Sequence, residues 1–212
     1  MARRGLTTEA VVDAAIELAD VEGLEELTLA RLAARLKVQP PSLFNHIHGL
    51  PGLLRLMQLR GLAEMSDRAL RAGVGRSGAR AVMAISRALR QFSHEHPGLY
   101  AASLPSTPPD DPDLSEAAGR FVGILFDAMR RYGLRGARAV HAARGLFSTV
   151  HGFIVLERAG TFGIPISTDA SFRWLIRRYT LSLAHGRRRK SGRGHAAPAR
   201  PSPDRRDVER LP

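Results

Sequence analysis

Apolar positions along the chain recur three or four residues apart, and no stretch alternates with the period of two that a strand would show. Val12, Ala15, Ile16 and Ala19 trace one face of a first helix, with Thr7 or Thr8 as its cap and Gly23 at its end. Thr28 caps a short second helix whose apolar side is Leu29, Leu32, Ala33 and Leu36. Lys37-Val38-Gln39 reads as a tight connection. Pro40 and Pro41 fit a turn or a first helical turn, where their missing N–H groups are not needed. A third short helix is expected over Ser42–Ile47, broken by His48-Gly49, and a long apolar helix from about Leu50 to Ala72.

After a loop at 73–78, the pattern predicts a helix over Ala79–His96 and a short one over Gly98–Leu104. The proline-rich stretch Pro105–Pro112 is a break, and an amphipathic helix follows over Leu114–Tyr132. Ala137–Ala159 is apolar nearly all round, which marks a helix covered on more than one side. Asp169–His185 is the last expected helix. Beyond Gly186 there are almost no large apolar residues, too few to offset the entropy of ordering, so a disordered tail is expected. The chain therefore reads as all-α: a helix-turn-helix domain over 5–65, a C-terminal ligand-binding and dimerisation domain over 77–186, and a basic tail over 187–212.

Charge sharpens this picture. The formal net charge is +12. About half the excess sits from Gly186 onward, where a tail could add non-specific DNA affinity or only solubility. A second asymmetry lies near the front. From Leu27 to Ala63 there is no acidic residue, while Arg31, Arg35, Lys37, Arg55 and Arg60 are basic and His46 and His48 lie between them. A basic segment beside an acidic first helix suggests a surface facing a polyanion, although a solubilising charge run has the same composition.

Three short helices with a tight turn between the second and third form a helix-turn-helix candidate, whose third helix would enter the major groove. That helix offers Gln39, Pro40, Ser42, Asn45 and His46. Gln and Asn can bond adenine in pairs, Ser can bond most bases, and the prolines can touch a thymine methyl. Thr28 at a helix start is placed to hold phosphate. The same pattern also suits a plain three-helix bundle. The stretch Leu6–Leu54 resembles the DNA-binding domain of the TetR family of regulators. The matching residues are Ala14-Ala15-Ile16-Glu17-Leu18, Gly23, Thr28-Leu29, Leu32-Ala33, Leu36, Val38, Ser42-Leu43-Phe44-Asn45-His46-Ile47 and Leu53-Leu54. The resemblance implies a homodimer on a palindromic double-stranded operator. Three positions depart from it. Lys37 stands where Gly is usual, which calls for a left-handed non-glycine residue. Phe44 replaces a tyrosine that bonds phosphate through its hydroxyl. Leu50 replaces a backbone-contacting lysine. Arg3, Arg4, Lys37, His48 and Arg55 are candidates to supply the missing phosphate contacts.

In the second half, Arg144-Gly145-Leu146-Phe147-Ser148-Thr149-Val150-His151-Gly152-Phe153, with Gly160-Thr161-Phe162-Gly163 after it, resembles a TetR subfamily with a Trp-x-x-x-His-Gly pattern. Phe147 stands at the Trp position. Phe147 and His151 share a helix face. His151 could bond a ligand, or could be a buried histidine satisfied by a backbone carbonyl at a helix crossing; His141 has the same two readings. Met57, Met65, Phe92, Tyr100, Phe121 and Phe126 could line a pocket or simply fill the core. An apolar or aromatic effector fits this lining better than a cation. His94 and His96, spaced by two, point apart on a helix and do not suit a metal.

There is no cysteine, no Gly-rich phosphate loop and no Gly-x-Ser-x-Gly elbow, so no enzyme and no cofactor is expected. No apolar run approaches the roughly 20 residues needed to span a bilayer, and no secretory signal opens the chain, so the expected setting is the cytoplasm, on the nucleoid. The runner-up reading is a helical interaction module that binds nucleic acid non-specifically through its basic surfaces.

Overall fold

The computed structural model describes residues 6–105 and 107–191, and every regular element among them is helical. Helix α1 (Thr8–Glu22) opens where the Thr7 hydroxyl accepts the Ala10 N–H at 3.1 Å, and it stops at Gly23, whose φ of 102° few side chains tolerate. After a 3₁₀ turn at Leu24–Glu26, Thr28 caps α2 (Leu29–Leu36) by accepting the Arg31 N–H at 3.3 Å.

Lys37 ends α2 in the left-handed conformation, φ 56° and ψ 42°, and its N–H bonds Ala34 O at 3.1 Å. An L-residue with a Cβ pays about 1–2 kcal/mol there, partly offset in any Gly variant by the freer unfolded chain. Lys37→Gly is therefore expected to stabilise the protein by about 0.5–1 kcal/mol in urea denaturation; a loss of stability would show that the lysine stem contributes packing.

The third short element is a 3₁₀ helix over Pro40–Asn45 rather than the α-helix expected over Ser42–Ile47. Both prolines lack an N–H, so the first donor is Ser42, which bonds Gln39 O three residues back at 2.9 Å; His46 N–H bonds Leu43 O in the same way. The closing Ile47 N–H alone reaches back four residues, also to Leu43 O, at 3.0 Å; an element this short, broken by His48-Gly49, takes the tighter winding.

The rest of the chain forms α3 (Gly49–Gly73), α4 (Ala79–Glu95), α5 (Pro97–Ala102), α6 (Pro112–Arg130), α7 (Ala137–Arg158) and α8 (Thr168–Ser191). Helix α8 runs beyond its expected end at His185; the arginines and lysine there are good helix formers. The remainder of the basic tail lies outside the described residues, as do Arg3 and Arg4.

Helix α3 is the spine, packing on α4, α6, α5 and α1. One contiguous apolar cluster extends from Val11 on α1 to Ile176 on α8. By length and composition α7 could cross a membrane, with a mean hydropathy of 1.2 in its most apolar window. Here its apolar residues Leu146, Val150 and Ile154 are instead covered by the bundle. Arg90 of α4 ties α7 to α8: it forks onto Glu157 at 2.5 and 2.7 Å, bonds Asp169 at 2.6 Å, and lies over the rings of Phe172 and Phe153.

Candidate nucleic-acid interface and ligand cavity

In a 3₁₀ helix, side chains three apart eclipse one another. Gln39, Ser42 and Asn45 accordingly share one line along Pro40–Asn45, with Gln39 and Asn45 exposed and Ser42 partly so. Pro41 and Phe44 form a second exposed line, and the Phe44 ring is 57% exposed. The third line points inward through Leu43, which is fully buried; Ile47 is buried just beyond. The Thr8 hydroxyl donates to His46 O at 3.2 Å and ties the end of the element to α1. Pro40, Lys37 and His48 are exposed beside it, and His46 is half-buried. Thr28 is exposed, its oxygen already accepting the cap bond while its hydroxyl proton remains available.

The acid-free window of the sequence is not acid-free in space. Arg31 pairs with Glu22 and Glu26, Arg35 with Glu17 at 2.7 Å, and Arg60 with Asp13 at 3.2 Å. Arg55 forks onto Asp111 at 2.5 and 2.8 Å and also meets Asp113 at 2.7 Å. Its guanidinium holds the Asp111 carboxyl below the usual carboxylate range. Arg55 is thus committed to the start of α6 and is removed from the candidate phosphate contacts. Lys37 has no carboxylate partner among the described residues.

A cavity of about 450 Å³ lies between α3, α6, α7 and the segment after α5. Two helical stripes wall it: Ala118, Phe121, Val122, Leu125 and Phe126 on α6, and Val140, Ala143, Arg144 and Phe147 on α7. Leu62 and Met65 of α3 close it on the side of the spine. Phe121 and Phe147 meet edge to face at 5.8 Å. The other expected lining residues go elsewhere. Met57 and Phe92 are fully buried in the core. The Tyr100 hydroxyl meets His151 Nδ1 at 3.0 Å, so that nitrogen is satisfied by a side chain rather than by a backbone carbonyl. Burial pushes the His151 pKa down, and a neutral ring can accept that proton. His141 is exposed. His94 and His96 turn to different carboxylates, Glu157 at 3.0 Å and Asp20 at 2.9 Å. Sequence reasoning passed over Arg144 and Leu62; the stripe Val140, Ala143, Arg144, Phe147 was the signal that could have found the arginine.

Helix α5 joins cavity and head. Asp20 on α1 accepts the N–H groups of Gly98 and Leu99 at 2.8 and 3.0 Å, and Gly98 lies against the backbone of Ala19. Ser103, just past α5, lines the cavity.

The comparisons agree with this architecture. Residues 82–179 match the family described as "Tetracyclin repressor-like, C-terminal domain". An HTH-type transcriptional regulator of Mycobacterium tuberculosis is 34% identical over 193 residues, which cover 91% of this chain and 86% of that protein. The HTH-type transcriptional regulator YobS of Bacillus subtilis is 36% identical over 155 residues, covering 73% and 80%. The crystal structure of a TetR variant from Acinetobacter baumannii in complex with minocycline shares the fold, with a TM-score of 0.67 at 23% identity over 86% of this chain and 99% of that one. Identity of that extent, on an exposed helix-turn-helix joined to a helical bundle with a cavity, places the chain in the TetR family of HTH-type transcriptional regulators.

Proposed function

We propose that the protein is a homodimeric repressor that reads a palindromic operator and releases it when a small molecule enters the cavity between α3, α6 and α7. The observation that carries the reading half is the eclipsed, exposed line Gln39, Ser42, Asn45 held out by the buried anchors Leu43 and Ile47. These three side chains read base edges. Thr28, Lys37 and His48, with Arg3 and Arg4, hold the phosphates, and Pro40, Phe44 and His46 pack against sugar or thymine methyl. The protein acts in the cytoplasm, on the nucleoid.

Operator selection from random duplexes, followed by competition against bulk DNA, tests this. Asn45→Ala is expected to cost about 1–3 kcal/mol on the selected site and to relax its sequence preference. Lys37→Ala should instead weaken all duplexes alike and lower the salt slope by about one. If Asn45→Ala left affinity and preference intact, the assigned reading element would be wrong.

The second copy docks on α7 and α8. Trp174 is 60% exposed and Ile164 74%, beside exposed Val155, Leu156, Phe162, Ile166 and Leu181. Leu156, Phe162, Ile166 and Trp174 line one apolar groove, and an exposed apolar patch of this kind marks an interface. Two helices from each subunit would form an isologous four-helix bundle. Trp174→Glu is expected to shift light scattering from dimer to monomer at micromolar concentration, and a parent protein that is already monomeric would exclude the dimer.

Release follows two rigid routes. Helix α3 carries Leu62 and Met65 at the cavity and begins directly after the reading element, and α5 sits on α1 through Gly98. A ligand that fits better when these helices move apart disfavours the DNA-competent spacing, with coupling of about 1–3 kcal/mol typical.

A further inference from the structure

The lining of the cavity specifies more than apolarity. Its α6 and α7 stripes contribute Phe121, Phe126 and Phe147, and no carboxylate is among the described lining residues. The ionisable group among them is Arg144, on the same helix face as Phe147 one turn away. Arg144 is exposed at the mouth and has no ion-pair partner among the described residues. Arg55, Arg68 and Arg90, which also lie against the bundle, each hold carboxylates; what sets Arg144 apart from the other unpaired arginines is its place in the lining of this cavity. An unpaired guanidinium at the rim of an aromatic pocket is a head-group site, because a forked donor matches a carboxylate and part of the bond is shielded from water.

We propose that the effector is an amphipathic monoanion, with an aromatic or acyl body inside the cavity and a carboxylate held by Arg144. This rests on the cavity being the effector site. The polar side chains of the lining besides Arg144 are Ser103 and Thr107. The Ser103 hydroxyl donates to Tyr100 O at 2.7 Å, and the lining Pro105 carbonyl accepts from Gln58 at 2.9 Å, so neither asks for a polar ligand atom. The charged end of the bound molecule therefore falls to Arg144, with a largely apolar remainder inside.

Calorimetric titration of the full-length protein with two matched series tests the proposal. One series is decanoate, decanol and decylamine; the other is 1-naphthaleneacetate, 2-(1-naphthyl)ethanol and 2-(1-naphthyl)ethylamine. At least one carboxylate is expected to bind about tenfold or more tighter than its alcohol, with the amine weakest. The series that binds tells the aromatic body from the acyl one. Arg144→Gln should erase the preference for the anion, and Arg144→Glu should reverse it in favour of the amine. Because Arg144 is exposed, both variants keep the fold, which circular dichroism verifies. Ala118→Phe, which fills the cavity, should abolish all binding. Alcohol and carboxylate binding alike, with both lost in Ala118→Phe, would overturn the anionic head group and leave the cavity as the site. Binding that survives Ala118→Phe, or no binding by any of the six, would overturn the cavity itself.

Discussion

Gly98→Ala is expected to destabilise the protein by about 3 kcal/mol, the upper end of what overpacking costs. A Cβ at Gly98 would lie 2.3 Å from the carbonyl carbon of Ala19, 2.4 Å from its oxygen and 2.6 Å from its Cβ. Most of that obstruction is backbone, which cannot rotate away. The methyl must lift α5 off α1, and this breaks the bonds from Gly98 and Leu99 to Asp20 and displaces His96 from the same carboxylate. Urea denaturation measures the loss. Gly119→Ala is the control: a Cβ there meets nothing within 4 Å, so the better helix former should stabilise α6 by about 0.5–1 kcal/mol. Operator titration of Gly98→Ala reads the functional side. If α5 couples cavity to head, release by ligand should weaken even where DNA binding survives. Unchanged stability would mean that the α1–α5 contact yields easily and cannot transmit a shift.

Arg90→Met is expected to cost about 3 kcal/mol at pH 7, because it leaves Glu157 charged and largely covered, with the half-exposed His94 ring in place of its bidentate guanidinium. The Glu157 side chain is 11% exposed, and the Arg90 guanidinium beside it pulls its pKa from 4.5 down to about 2. A carboxyl depressed in the folded state contributes stability that is present above its unfolded pKa. The contribution fades as pH falls from about 4.5 toward 2 and is worth about 3 kcal/mol in full. The parent should therefore lose that much between pH 6 and pH 2 relative to Arg90→Met/Glu157→Met, which has no charge left to bury. The double variant should also recover much of the single variant's loss at pH 7. A single variant as stable as the parent would mean that water and His94 suffice for Glu157 and that the α4–α7–α8 junction does not depend on the guanidinium.

Much of the reading head was legible because its determinants are local. Thr7 and Thr28 cap the helices that the apolar spacing predicted, and Lys37 takes the left-handed place that glycine usually holds. The line Gln39, Ser42, Asn45 is a three-residue spacing visible in the sequence, although the short element winds as 3₁₀ rather than α. Charge was legible only as composition. The arginines of the acid-free window are paired with Glu17, Glu22, Glu26, Asp13 and, 56 residues away, Asp111. Which acid meets which base depends on how helices cross, and no local pattern encodes that.

The cavity divides in the same way. Periodicity named the apolar faces of α6 and α7, so Phe121 and Phe147 were found on them. It could not say which faces would be covered. Met57 and Phe92 meet neighbours and fill the core, and Tyr100 and His151 satisfy each other across α5 and α7. Arg144 escaped notice because an arginine in an apolar helix reads as a solvent-facing interruption until the neighbouring helix shows that its face opens on a void. A helix face is a property of residues three and four apart, whereas a cavity is space left between helices by the side chains of distant segments. The sequence by itself thus determined most of the helices, their caps and the three-residue spacing of Gln39, Ser42 and Asn45; only the packing decided which acids meet which bases and where a void opens between helices.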